Sequence, residues 1–227
     1  MELQGLERMA DEVFAYDDLK EDFAYGHIPP EKKQYYIAQG LAAGRAAAVQ
    51  YEGCDLAALL AADGVVIRKV TAPSRIGLHA QICYTGDKKQ IDLFVATAKE
   101  LSEVMAATPY PVPQPQIEQL FLAHEFYHWF EYSTGVATDE TVEPARFRLF
   151  GLFERKMAVR RTGEIAAFAF AKQWCKLPVH PKAMDYLLLC QKQGKTPAQA
   201  AAQFCRLQQE YDAACPTAQQ TEKGEHR

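Results

Sequence analysis

A chain of 227 residues with a formal net charge of −4, 48 % hydrophobic and 24 % charged residues is long enough to bury a substantial core and reads as one globular domain over residues 1–215. The mild acidity and the lack of a basic block argue against nucleic acid as the main partner, and no apolar run approaches the ~20 residues of a membrane span. Cys54, Cys83, Cys175, Cys190, Cys205 and Cys215 are scattered without a C-x-x-C pair, so a reduced, cytoplasmic protein is expected, with a secreted disulfide protein as the alternative that the even count leaves open.

Residues 1–30 form an acidic N-terminal segment without a signal-peptide core, and residues 5–20 of it predict a short helix. Gly26 to Pro30 is a break, and Pro30 or Glu31 opens a helix to about Tyr51. Its Ala/Gly-rich middle (Gly40, Ala42, Ala43, Gly44, Ala46, Ala47, Ala48) suits that helix to close packing. Asp55 is placed to cap a helix over 56–62, Asp63-Gly64 is a turn, and 65–70 reads as a strand. Residues 78–84 and 90–95 alternate with period two around Thr85-Gly86-Asp87-Lys88-Lys89, which predicts a β-hairpin. A short helix over 97–105 precedes the loop bearing Pro109, Pro111, Pro113 and Pro115. Beyond it the pattern predicts helices over about 116–133, 143–160, 162–175, 181–193 and 197–213, the last capped by Thr196-Pro197. The polar tail 216–227 is expected to fray. The fold class is thus α+β, predominantly helical, with a small antiparallel or mixed three-stranded sheet.

One stretch carries chemistry. His124-Glu125-Phe126-Tyr127-His128 is an H-E-x-x-H pattern inside an apolar helical run with no Gly or Pro before Gly135. Two imidazoles four residues apart on a helix sit one turn above each other and can converge on one ion. Glu125 lies about 100° round the axis from His124, where a carboxylate can take a proton from a water activated by that ion. A buried His pair serving only the core, and a closed structural zinc site, are the blander readings; the latter usually uses four Cys/His ligands. His27 and His79 are single histidines read as structural.

A catalytic zinc needs a third protein ligand. A histidine six residues after His128 would define a metzincin, but that position is Thr134. Glu131 lies one turn beyond His128, too far along the axis to complete a tetrahedron with both histidines. Glu164, at the head of the apolar, small-residue run 164–171, is the best candidate, because a lone acid on such a face is costly unless paired or bound to metal. It can also be read as a first-turn acid favoured by the helix dipole. Glu154, Glu143, Glu140 and Asp139 are the alternatives.

With Leu122-Ala123-His124-Glu125 and His128, with the segment from Glu164 to Ala171, and with Leu177-Pro178 after it, the chain resembles the ImmA/IrrE-type bacterial zinc metallopeptidases among the Glu-zincins. The resemblance covers roughly residues 40–180. It implies a zincin-like active-site helix packed on the sheet, Zn2+ held by His124, His128 and Glu164, Glu125 as general base, and a protein or peptide substrate. Two departures stand out: Tyr127 replaces a small residue, and Phe168 replaces an Asn or Asp that often buttresses a ligand in the family. Candidate oxyanion or substrate contacts are His180, Tyr132, Tyr127 and Tyr186, and strand 79–84 is the candidate edge for an extended peptide. The rival readings are a catalytically inactive zinc-binding interaction or regulatory protein of phage or mobile-element origin, and a helical binding module without metal. The oligomeric state is left open.

Overall fold

The computed structural model describes residues 5–72, 79–85, 88–149 and 152–216. In chain order the elements are α1 (Asp11–Lys20), α2 (Pro30–Gln50), α3 (Leu56–Ala62), β1 (Val65–Val70), β2 (Ala80–Thr85), β3 (Lys88–Phe94), α4 (Val95–Ala106), α5 (Gln114–Thr134), β4 (Ala145–Leu149), β5 (Phe153–Met157), α6 (Arg161–Trp174), α7 (Pro181–Lys192) and α8 (Pro197–Ala214). The fold is predominantly helical α+β, as the periodicities predict.

The three-stranded sheet is mixed, in the order β1-β3-β2. β3 runs parallel to β1 and antiparallel to β2, so that Ile91 stands between Ile67 and Ile82. Ile91 and Leu93 are buried and join the core that α5 shares with the sheet, α7 and α8. The hairpin β2–β3 falls where the alternation places it; Leu78 and the turn residues Gly86 and Asp87 lie outside the described residues. The tail from 217 onward, with His226, also lies outside them.

Local chemistry sets several helix starts. Asp55 accepts a hydrogen bond from the Ala58 backbone N–H at 3.0 Å, and Thr196 and Gln199 form a capping box with Pro197 at the first turn of α8. Each such cap stabilises by about 1 kcal/mol. α5 ends on Gly135 in the left-handed conformation, which a glycine adopts without a Cβ clash.

The segment 143–160 departs from the expected helix. It forms β4 and β5, paired antiparallel with Leu149 opposite Phe153. The physical reason is legible afterwards: Ala145-Arg146-Phe147-Arg148-Leu149 alternates apolar and charged with period two, and Pro144 and Gly151 flank or interrupt any helical run. Phe147 stacks on His27, with ring centroids 3.9 Å apart, which fixes the hairpin to the turn after α1.

Two helices position the site. α6 lies in contact with both α5 and α2. At the α2–α6 contact, a Cβ on Gly44 would stand 2.1 Å from the Ala166 carbonyl oxygen, and one on Gly40 would stand 3.0 Å from that of Thr162. Only glycine permits this approach. Within the Ala/Gly-rich middle expected to pack closely, Gly40 and Gly44 therefore set the depth at which α6 is seated.

Candidate metal centre

α5 carries His124, Glu125 and His128 on its inner side, and α6 brings Glu164 to meet them. The Nε2 atoms of His124 and His128 are 3.3 Å apart. One Glu164 oxygen lies 3.4 Å from His124 Nε2 and the other 3.6 Å from His128 Nε2. Ligand atoms about 2.0–2.2 Å from a tetrahedral ion stand about 3.3–3.6 Å from one another. The spacing fits that requirement, and the donor set, two imidazoles and one carboxylate, is the catalytic zinc pattern with a fourth position left over. Among the described residues this is the one such cluster of metal-ligating side chains. Burial opposes the charge on Glu164, yet the two histidines outweigh it and hold the carboxyl down at about 2.

The helix that delivers Glu164 is capped from a distance. Asp22 accepts from the Arg161 backbone N–H at 2.7 Å and from that of Ala24 at 2.7 Å. The first turn of α6 is thereby tied to the loop after α1. A carboxylate at that end also complements the orphan N–H groups of the helix.

Glu125 sits beside the triad, 8 % exposed, and its Oε2 accepts from the Ile82 backbone N–H at 2.8 Å. Ile82 is on β2, the edge strand of the sheet. The candidate base is thus aimed by the same strand edge that the sequence offered for an extended peptide.

Glu131 has a role other than ligand. It contacts His128 Nδ1 at 3.2 Å, and its other oxygen accepts from the Thr138 backbone N–H at 2.7 Å and the Thr138 hydroxyl at 2.6 Å. A carboxylate on Nδ1 fixes the tautomer, so that Nε2 presents its lone pair inward. Burial works against ionisation of Glu131, but the bonds from His128 and Thr138 keep its carboxyl below the usual range. His124 is treated differently. Its Nδ1 is buried with no hydrogen-bond partner, and the Phe168 ring lies 4.6 Å from its own. With Phe168 beside it, His124 thus has no hydrogen-bonding buttress, while Glu131 supplies one to His128. Replacing Glu131 with Ala is expected to weaken zinc binding about 10- to 100-fold, measured by competition with a chelator; unchanged affinity would remove this role from Glu131.

The other candidates stand elsewhere. His180, 2 % exposed, stacks on Phe14 with centroids 4.7 Å apart and accepts from the Lys182 N–H at the start of α7. Burial pushes its imidazole down to about 3, which keeps the ring neutral. Tyr127 is buried, with its hydroxyl on Thr138 Oγ1 at 2.8 Å. Tyr186 donates to Asp17 at 2.6 Å. Tyr132 is exposed and stacked on Tyr84. None of the four lines the cavity beside the triad. Packing explains why: each ring or hydroxyl is engaged by another neighbour, Phe14, Thr138, Asp17 or Tyr84. The alternative acids also fall outside the triad, with Glu154 on Arg146 and Glu143 on Lys32 at the surface.

Sequence reasoning passed over the imidazole that does line the cavity. His79, just before β2, pairs through Nε2 with Asp185 of α7 at 2.8 Å and stacks flat on Phe121, with the planes 4° apart. Nothing local signals a partner 106 positions away. Glu131 was findable, since residues three apart on a helix are neighbours.

No protein-family model, no curated protein and no solved structure matches this chain. What the site does must be argued from its donor set and spacing. No disulfide joins any of the six cysteines. Among the described residues no helix is long and apolar enough to cross a membrane.

Proposed function

We propose that the protein is a cytoplasmic zinc-dependent peptidase of the Glu-zincin kind, with His124, His128 and Glu164 as ligands and Glu125 as general base. The observation that carries this reading is the meeting of the His124 and His128 Nε2 atoms with the Glu164 carboxylate at the spacing that a tetrahedral ion needs, with a second, buried carboxylate, Glu125, beside them. A zinc ion held there would supply a Lewis acid that polarises a carbonyl and acidifies water. Glu125 would take the proton of the attacking water and return it to the departing amine. Glu131 holds His128 in the tautomer that leaves Nε2 free. β2 is an edge strand on the α5 side with its Ile82 N–H taken by Glu125, and an extended peptide pairing along it would use the backbone groups that remain, with little demand on sequence. The likeness of the motif residues to ImmA/IrrE-type peptidases agrees with this reading. A protein or peptide is the partner it implies, and neither nucleic acid nor a membrane is required.

A second reading rests on one feature, the unbuttressed His124 against Phe168. It is a zinc-binding interaction or regulatory protein, of phage or mobile-element origin, that has no turnover. Metal analysis of protein purified under zinc-replete conditions tests both. One zinc per chain is expected in the wild type and none in His124→Ala or Glu164→Ala. A wild type without zinc sinks both readings. Zinc without cleavage of any peptide in a proteome-derived library leaves the second.

A further inference from the structure

Glu164 has a second cleft against it, of about 640 Å³, formed by the loop after α1, the end of β5 and the first turn of α6. Because Glu164 lines this cleft as well as the cavity bordered by β2, a chain crossing the metal centre can run from one into the other. The charged groups on its walls are Glu21, Asp22, Glu164, Lys156, Arg160 and Arg161. Every acid among them is engaged. Glu21 pairs with Arg161 at 2.7 Å, Asp22 accepts from the backbone N–H groups of Arg161 and Ala24, and Glu164 faces His124 and His128. Lys156 and Arg160 are exposed and form no ion pair with any described residue; Asp139 stands in the field of Arg160 but is not paired with it. The hairpin itself does not call for this charge. Lys156 stands directly opposite Arg146, an arrangement that destabilises a two-stranded ribbon, and Glu154 goes to Arg146, at 2.7 Å. Between Ala145 and Arg161 there are six cations and one acid, in a chain of formal net charge −4. Cations gathered against the needs of their own hairpin point to a ligand of opposite sign.

We infer that this cleft binds the acidic stretch of an extended peptide, with Lys156 and Arg160 taking its Asp or Glu carboxylates while its backbone crosses the metal centre at Glu164. The inference rests on the peptidase reading for the path across the ion, and it names the substrate class: peptides with acidic residues on one side of the cleaved bond. A carboxylate arriving at Lys156 and Arg160 displaces no partner. Its repulsion from Glu21 and Asp22 is answered by Arg161 and by the N-terminal N–H groups of α6. A neutral side chain gains no charge-assisted bond there. Phe23 lines the same cleft with its ring 97 % exposed, apolar surface that a peptide covers and a small anion does not. The cations stand in a concave wall that reaches Glu164, which suits a chain entering the site better than a flat lipid surface.

The probes are a fluorescein-labelled peptide amide of alternating Glu and Ala and its counterpart of alternating Gln and Ala. Binding to the full-length protein, zinc-free and zinc-loaded, is read by fluorescence anisotropy at low salt, where surface charge is least screened. The Glu peptide is expected to bind about 3- to 30-fold more tightly than the Gln peptide, the range for two exposed ion pairs. That margin is expected to vanish when Lys156→Ser and Arg160→Ser are combined; both side chains are exposed, so the fold does not depend on them. Arg148→Ser with Arg155→Ser removes the same charge from the same hairpin outside the cleft, and is expected to keep most of the margin. Equal affinity for the two peptides overturns the inference. So does an equal loss in the two double variants, which would make the effect one of overall charge. Tight binding of phosphatidylglycerol vesicles through Lys156 and Arg160, without a preference for the Glu peptide, overturns it in favour of a membrane surface. Zinc content and cleavage are measured on the same samples. A protein that takes up no zinc yet shows the margin at Lys156 and Arg160 defeats the peptidase reading and leaves the cleft standing. A zinc-loaded peptidase without the margin does the reverse.

Discussion

Glu125→Gln is expected to keep one zinc per chain and to lose about 10²- to 10⁴-fold in peptide turnover. The substitution changes one oxygen to an NH2 and little else. Its carbonyl oxygen can still accept from the Ile82 N–H that now holds Glu125 Oε2 at 2.8 Å, so the side chain keeps its seat. What disappears is the ability to take a proton, because an amide has no basicity to offer near neutral pH. The three proposed ligands are untouched. Zinc content and initial rates on a cleavable peptide, measured together, check the expectation. Wild-type turnover in the variant would remove Glu125 from the chemistry. Loss of zinc would mean that Glu125 helps to hold the ion and is not a bystander to ligation.

Gly44→Ala is expected to destabilise the fold by about 3 kcal/mol, the upper part of the range for overpacking. The added methyl would meet the Ala166 carbonyl oxygen at 2.1 Å and the Ala169 methyl at 2.9 Å. A flexible side chain could swing aside; a helix carbonyl cannot, so α6 must shift bodily from α2. Gly26→Ala serves as the control, since a Cβ there meets nothing within 4 Å. Urea midpoints for the two variants give the comparison. Equal midpoints would show that the close approach of α2 and α6 does not contribute to stability.

Much of this architecture can be read from short-range pattern. Helical periodicity with Pro at the first turn marks α2, α7 and α8, and alternation marks β2 and β3, because local backbone preference and the buried face agree in those segments. The three motif residues on α5 are legible for the same reason: their spacing alone defines their geometry. Glu164 was legible through an energetic oddity, an acid heading an apolar run. The segment with β4 and β5 was misread because its charged residues, Glu154, Arg155 and Lys156, fit a solvated helix face as well as a strand. The Asp22 cap on α6 and the His79–Asp185 pair were invisible. Each joins positions more than 100 residues apart in the chain, and nothing in either local sequence distinguishes it from an ordinary surface charge.

The glycine contact between α2 and α6 has a thermodynamic consequence for the ion. His124 and His128 belong to α5 and Glu164 to α6, so an ion bound by all three would be a cross-link between two separately seated helices. Loading would then stabilise the folded chain by RT ln(1 + [Zn]/Kd), about 2.7 kcal/mol at a hundredfold excess over Kd. Linkage works in both directions. The positional freedom of α6 that Gly40 and Gly44 remove is freedom that an ion would not need to remove on binding, so the snug fit of α2 would act as a silent determinant of metal affinity. Part of the grip on such an ion would accordingly be set by residues that never touch it.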